Sequence, residues 1–491
     1  MILEHLPAFQ VMLPLIGAAL CALIDRPFPA WLLALVISLM MPVIAVLMLM
    51  QVLAGGPISY EMGGWEPPYG IEYRVDIANA FVLILVSVIA AVLMPYARRS
   101  VGAEIAENKQ AWFYCMYLLC LSGLLGIAIT GDAFNAFVFL EISSLSSYVL
   151  IALGSDRRAL IAAYQYLILG TIGATFYVIG VGLLYSMTGT LNFVDLAARI
   201  AEVEAIRPVL AALAFLTVGI SLKLALFPLH VWLPNAYAFA PSVATVFMAA
   251  TATKVAVYLL LRYFFSIFGV AFVFESLPVG PILLILSVAA MFAASTVAIF
   301  QDNAKRMLAY SSVAQIGYML LGASLVSATG LTAAIVHMFN HALAKGALFI
   351  AVACLGTAYA ALSLDKLAGA GRRMPLTMAG FVLAGLSLIG IPGTAGFIGK
   401  WYLVLAALEL GPLGAWLILP VLASSLLAVL YVWRVVEAAY FAPAAEPAGR
   451  AEAPWPMLAV LWGVVLLNVW FGLQPMVPLE LAADAAARLL E

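Results

Sequence analysis

Charge is what this sequence has least of. Only 9% of its 491 residues are Asp, Glu, Lys or Arg, 66% are hydrophobic, and mean hydropathy is +1.13. Soluble domains carry about 25% charged residues, so the composition excludes a water-soluble fold of this size and makes the chain a polytopic integral membrane protein. Cysteine is scarce too: Cys21, Cys115, Cys120 and Cys354 stand singly in apolar runs, without CxxC spacing. That pattern supports neither an iron–sulfur cluster nor a zinc ribbon. A net charge of −2, with no basic run interleaved with aromatics, sets nucleic acid aside. No soluble domain is appended, so a nucleotide or redox cofactor site would have to be built by another subunit; no cofactor and no metal are expected here. The first apolar run lacks a basic segment ahead of it and predicts a retained helix rather than a cleaved signal.

What remains is a series of apolar runs. A membrane-crossing helix takes about 20 largely apolar residues, and fourteen such runs can be placed, centred near residues 16, 41, 87, 121, 144, 174, 221, 255, 290, 316, 344, 390, 427 and 466. Short loops rich in Lys and Arg stay cytoplasmic. The loops after odd-numbered runs hold twelve such residues: Arg26, Arg98, Arg99, Lys109, Arg157, Arg158, Lys305, Arg306, Lys366, Arg372, Arg373 and Arg450. The other side holds five: Arg74, Arg199, Arg207, Arg262 and Arg488. Both termini are therefore expected to face away from the cytoplasm, together with the acidic, Gly- and Pro-rich loop from Gly55 to Asp76.

A faint internal repeat is visible. Ile142–Gly154 aligns with Tyr310–Gly322, Ala162–Ala163 before Tyr166 with Ala333–Ala334 before His337, and Gly219–Leu222 with Gly385–Leu388, at offsets of 168, 171 and 166 residues. Each copy carries a proline-interrupted helix, at Pro228 (with Pro234 following) and at Pro392. Discontinuous helices in paired halves point to a transport path, because unwound backbone needs water or protein partners and so lines a cavity. Five helices per copy is an odd number, which inverts one copy against the other. The expected organisation is residues 1–110 for three N-terminal helices, 111–268 for the first repeat, 279–441 for the second, and 456–491 for a last helix and tail.

Lysine is rare, with seven in all, yet Lys223, Lys254, Lys345 and Lys400 fall inside predicted helices, whereas of fifteen arginines only Arg434 does. A charged residue at a bilayer centre costs roughly 2.5–3.5 kcal/mol on insertion scales. Lysine yields its proton readily when desolvated and arginine does not, so the bias toward lysine reads as a proton path. Lys223 follows Pro208 by about 22 Å of helix at 1.5 Å per residue, too deep to snorkel; Lys254, about 12 Å from Arg262, is less clear. Glu141 is the expected counter-ion of Lys223, the two forming an electrostatic switch.

In the run from His337 to Lys345, His337, His341 and Lys345 stand at i, i+4 and i+8 on one helical stripe. Zinc binding is disfavoured by the lysine and by the lack of a Glu after the first His; a hydrated proton relay is the favoured reading, with structural interhelical hydrogen bonding as its alternative. His230, just after Pro228, could bridge two lysines through water or cap freed carbonyls. Gly399–Lys400–Trp401 resembles a phosphate-loop end but lacks its first glycine and its Ser/Thr. Arg434 and Glu437, three residues apart, read as a local ion pair in preference to an exit-site cluster.

Together these residues resemble the antiporter-like subunits shared by respiratory complex I, membrane-bound hydrogenases and Mrp-type sodium/proton antiporters. The resemblance covers nearly the whole chain. It rests on Glu141 in the fifth helix, Lys223 ahead of FPLHVWLPNAY, Lys254 in the eighth helix, DNAKRMLAYSSVAQIGY from Asp302, HMFNHALAK from His337, and GIPGTAGFIGKW ending at Lys400 and Trp401. It implies an all-α fold of about fourteen membrane helices, with two inverted five-helix repeats and a central hydrophilic axis through Glu141, Lys223, Lys254, Lys345 and Lys400. The loop GGWEPPYGIEYRVD, the length, and lysine at position 400 look most like the D-type branch of the Mrp family. That branch implies a non-enzymatic transporter component of a bacterial inner membrane, moving H+ and possibly Na+ beside the A, B, C, E, F and G components of an Mrp complex. A proton-pumping subunit of a complex I-like or hydrogenase assembly is the alternative.

Overall fold

Apolar residues distributed around the whole helix circumference, rather than on one face, make helices that are buried on one side by neighbours and on the other by lipid. The computed structural model of the protein describes residues 2–359, 361–443 and 451–491, and is almost entirely helical. The chain runs through α1 (Leu6–Ile24), α2 (Pro27–Gly55), α3 (Ile77–Glu104), α4 (Glu107–Ile129), α5 (Ala133–Ala152), α6 (Arg158–Thr188) and a short α7 (Phe193–Ile200). It continues through α8 (Ile206–Leu224), α9 (Trp232–Phe239), α10 (Ser242–Ala250), α11 (Ala252–Leu261), α12 (Val279–Ile299), α13 (Ala304–Ser324) and α14 (Ala328–Leu355). The last third contains α15 (Ala370–Arg373), α16 (Pro375–Ile389), α17 (Ala395–Glu409), α18 (Gly411–Ala415), α19 (Ile418–Tyr440), α20 (Trp455–Leu473) and α21 (Met476–Leu490).

Among the described residues, twelve helical segments are long and apolar enough to cross a membrane. Two further crossings complete fourteen. One is α13, 21 residues long but rich in polar side chains; the other is split into α16 and α17, of 15 residues each. The loop from Gly55 to Asp76 contains a hairpin of β1 (Ile58–Glu61) and β2 (Glu72–Val75), in register Ile58 opposite Val75. It is pinned to the helix ends by Gly131 N donating to Glu72 O at 2.8 Å and Asn192 Nδ2 donating to Glu72 Oε2 at 2.7 Å.

The duplication is written in backbone hydrogen bonds. Ala133 N donates to Leu191 O (2.8 Å) and Phe193 N to Gly131 O (2.8 Å); 171 residues later, Ala304 N donates to Leu362 O (2.9 Å) and Leu364 N to Asp302 O (2.8 Å). Asp132 caps α5 through Asn135 N, and Asn303 caps α13 through Arg306 N. Five crossings separate the starts of α5 and α13, so the same clasp sits on opposite faces and the repeats are inverted. The offset is the one that pairs Tyr166 with His337; the 168-residue alignment of Ile142 with Tyr310 is about one helical turn out of step.

Four sequence expectations are corrected. Lys305 and Arg306 are not in a loop: they occupy the first turn of α13, where Lys305 is buried and donates to Ala240 O and Ser242 Oγ, both at 3.2 Å. Arg98 and Arg99 lie within α3. Arg262 continues the α11 helix, inside an apolar segment from Ser242 to Ile267. Arg434 does not pair with Glu437; it reaches Ile299 O, Gln301 O at 3.2 Å and Asp302 at 3.2 Å, because carbonyls freed at the end of α12 outcompete a carboxylate one turn away on the same helix. Arg450 lies outside the described residues.

Candidate proton-path residues

The two broken helices set the site. The crossing begun by α8 ends at Leu224, where Ala225 turns left-handed (φ 59°), and resumes as α9 at Trp232. Pro228 lies in the break and Pro234 inside the first turn of α9, where a missing N–H costs little. The crossing begun by α16 ends at Gly390 (φ 90°), passes Pro392 and Gly393 (φ 86°), and resumes as α17 after Thr394. The two positive φ values explain the glycines. A third interruption separates α10 from α11 at Thr251.

Three of the four lysines, Lys223, Lys254 and Lys400, answer to these irregularities. Lys223, in the last turn of α8, is buried and donates to Ser144 Oγ of α5 at 2.6 Å; Glu141 Oε1, one helical turn earlier on α5, lies 4.0 Å from its Nζ. Glu141 itself is not enclosed, with its side chain 26% exposed on the outside of the chain. A cavity of about 20 Å³ beside Lys223 is lined by Ser143, Ser144, Ser147 and Tyr166, room for about one water. Lys254 is fully buried rather than snorkelling, and donates to Ala249 O at the α10–α11 break and to Thr253 Oγ1 at 3.4 Å. Lys345, also fully buried, donates to Leu308 O (2.6 Å) and Ser311 Oγ of α13.

Lys400 shows how the repeats differ. It is on α17, beyond the break, yet reaches back to donate to Leu388 O (3.2 Å) and Ile389 O (2.8 Å), the freed carbonyls of α16, and to Ser425 Oγ (2.9 Å). By the 166-residue match, Ile389 is the counterpart of Lys223. The second repeat therefore puts its ammonium near the same point of the helix from the opposite side of the gap.

His337 Nε2 is 2.9 Å from Gln315 Oε1, and Tyr318 bridges it to Lys400: the ring lies 5.5 Å from the imidazole and 4.6 Å from the ammonium. His337 and His341 stack parallel at 6.3 Å. Gly399 makes this approach possible, since a Cβ there would stand 2.7 Å from His337 Nδ1 and 2.9 Å from its Cα. His230 sits in the first break against Phe227 and Tyr310, its rings centred 5.4 and 6.3 Å away. Lys223 thus meets Glu141 directly, and Lys400 meets His337 through Tyr318. Ser144, Ser311, Gln315, Tyr318 and Ser425 were not anticipated. For α13 a signal existed: Ser311, Gln315 and Tyr318 are spaced i, i+4, i+7 on one stripe of the helix.

Residues 130–427, which span both broken crossings and all five charged positions, match the NADH:quinone oxidoreductase/Mrp antiporter transmembrane family. The chain belongs to this family. The N-type subunit of the NADH-quinone oxidoreductase of Desulforudis audaxviator is 42% identical over 460 residues, covering 92% of this chain and 90% of that one. The D-type subunit of the Na+/H+ antiporter of Alkalihalophilus pseudofirmus is 31% identical over 367 residues, 75% and 73% of the two chains. A chain in the solved Mrp complex from Dietzia superposes over 100% of this protein and 98% of its own length, with a TM-score of 0.89 and 25% identity. These family members are membrane subunits of larger assemblies.

Proposed function

We propose that the chain is a proton-translocating membrane subunit of a multi-subunit monovalent cation/proton antiporter in a bacterial inner membrane, with both termini and the β-hairpin on the outer side. Its two units, 111–268 and 279–441, carry the path. Glu141 is the counter-ion, Lys223 the switching donor and Lys254 the connecting site; His337, His341 and Lys345 relay toward Lys400, and His230 bridges near the first break. In the closed pair Glu141 keeps Lys223 protonated; when the two part, the ammonium in its low-dielectric surroundings gives up its proton.

What carries this reading is the company the lysines keep. Apart from Lys223, each is bonded to carbonyls and hydroxyls rather than to a carboxylate, the arrangement of a site that can be emptied. Glu141 Oε1, His230 Nδ1, His337 Nδ1 and both ring nitrogens of His341 are buried without a hydrogen-bond partner from the protein. An unmet buried polar group costs about 1–3 kcal/mol, and in this reading water along the relay meets these groups. The A, B, C, E, F and G components of an Mrp-type complex are the partners this reading implies.

The 42% identity to an N-type subunit of an NADH-quinone oxidoreductase favours a second reading, in which the same path is driven by a redox arm. Purification separates the two: flavin or iron–sulfur subunits travelling with the complex select the second. Both require that Lys223→Ala and Glu141→Ala abolish transport in a complex that still assembles. Unchanged ion exchange in either variant refutes the path.

A further inference from the structure

A cavity of about 600 Å³ lies on the hairpin face between α3 and the outer end of α11, lined in part by Arg74, Asp76, Thr130, Tyr258, Arg262 and Ser266. It holds a charge pair that the path above does not use. Asp76 and Arg262 meet at 2.8 Å with side chains 15% and 14% exposed. Arg262 also donates to Tyr258 Oη from Nε (3.2 Å) and Nη2 (3.1 Å), and Tyr258 donates to Ala128 O at 3.2 Å. Lys254, Tyr258 and Arg262 stand at i, i+4 and i+8, one stripe of one helix, about 6 Å apart per step. The stripe therefore runs from the stem of Lys254, whose ammonium reaches back to Ala249 O and must swing toward Tyr258 to use it, to an open cavity lined by Tyr258 and Arg262.

We infer that this cavity is a proton port on the hairpin face, serving Lys254 and gated by the Asp76–Arg262 pair. The inference rests on the proton-carrying reading of the lysines. While Arg262 holds Asp76, the carboxylate is occupied and the port is shut. Arg262 has a second acceptor in Tyr258, so it can lean away without losing every bond, and it stays charged throughout. Asp76 then accepts, through water along the Tyr258 face, the proton that the Lys254 ammonium gives up. This leaves a neutral amine and a neutral carboxylic acid. Asp76 next yields that proton to water in the cavity and regains Arg262 as a carboxylate. One proton leaves Lys254 and one reaches the hairpin-side water. A purely structural pair would staple α3 to α11 and leave the cavity idle.

The test uses the assembled complex in sealed vesicles. Cys21, Cys115, Cys120 and Cys354, all free and buried, are replaced by Ser, and Ser266→Cys is introduced and treated with a membrane-impermeant thiol reagent. Proton transport is expected to stop when reagent is added on the hairpin face, and to continue when it is added only on the other. Asp76→Asn, in complex that assembles normally, should slow transport by about 100-fold, the scale of a lost acid–base group, with Asp76→Glu recovering much of it. Lys223→Ala serves as the reference. If Lys223→Ala is inactive while modified Ser266→Cys and Asp76→Asn run at the parent rate, the port is overturned and the lysine path stands. If Lys223→Ala is itself fully active, the path fails and the port with it.

Discussion

Gly399→Ala is a sharp structural perturbation of the contact between α17 and His337. Gly399 lies inside α17, one residue before Lys400, and an added Cβ would sit 2.7 Å from His337 Nδ1, 2.8 Å from its Cβ and 2.9 Å from its Cα. Two of those atoms belong to the root of the side chain and to backbone, so no rotamer change relieves the contact and α17 must move away from α14. Overpacking of this kind costs about 1–3 kcal/mol, and a contact with backbone belongs at the upper end. Replacing a mid-helix glycine returns about 0.5–1 kcal/mol of propensity, which leaves a net loss of about 2 kcal/mol. The same displacement carries Lys400 off Tyr318 and away from His337, so transport should fall along with stability. Gly463→Ala in α20 and Gly182→Ala in α6 are the controls, because a Cβ there meets nothing within 4 Å. Thermal unfolding of the purified complex, together with transport in reconstituted vesicles, reads both effects. If Gly399→Ala unfolds and transports like the parent while the controls behave alike, the close approach of α17 to His337 is wrong.

Other consequences are equally open to measurement. Ser144→Ala removes the 2.6 Å acceptor of Lys223; a hydrogen bond to a charged group contributes about 1.5–3 kcal/mol, so transport should change by about tenfold or more, and an unaltered rate in vesicles would contradict that bond. Gln315→Leu strips the partner of His337 Nε2 and should slow transport without preventing assembly; a normal rate would remove Gln315 from the relay. Burial pushes the Asp76 carboxyl up, but Arg262 outweighs it and holds the group below its ordinary value of 3.8. A depressed carboxylate contributes stability above its unfolded value and loses it as pH falls below. The destabilisation caused by Asp76→Asn should therefore be constant from about pH 9 to pH 5 and shrink only below about pH 4; a gap that closes near neutrality would show the pair is not formed. Asn192→Ala should loosen the β-hairpin by freeing Glu72 Oε2, seen as faster hydrogen exchange in β2.

The sequence carried most of the fold because a bilayer leaves so little choice: every long apolar run had to be a helix, and proline marked two of the interruptions. Lysines were legible for the same reason, since a cation amid leucine and alanine has no ordinary explanation. Tertiary geometry was not. Arg434 looked paired with Glu437 because local spacing is all a sequence displays, whereas its partners lie on α12 and just beyond. Arg262 looked like a loop end because nothing in RYFFSI announces that the helix continues as a wider π turn, and so its pairing with Asp76 was hidden. The break at Thr251 was missed as well, having neither proline nor glycine to mark it. Lys223 and Lys400 could be named, but not the fact that they approach their gaps from opposite sides.

The central claim is that Lys223 must take up and release a proton, rather than merely hold a charge beside Glu141. Lys223→Arg separates the two, because a guanidinium keeps the charge and the contact with Ser144 and Glu141 but does not deprotonate in a protein. The account predicts that complex bearing Lys223→Arg assembles normally and, in proton-flux measurements on sealed vesicles, is as inactive as Lys223→Ala. Proton flux at the parental rate from Lys223→Arg would contradict it.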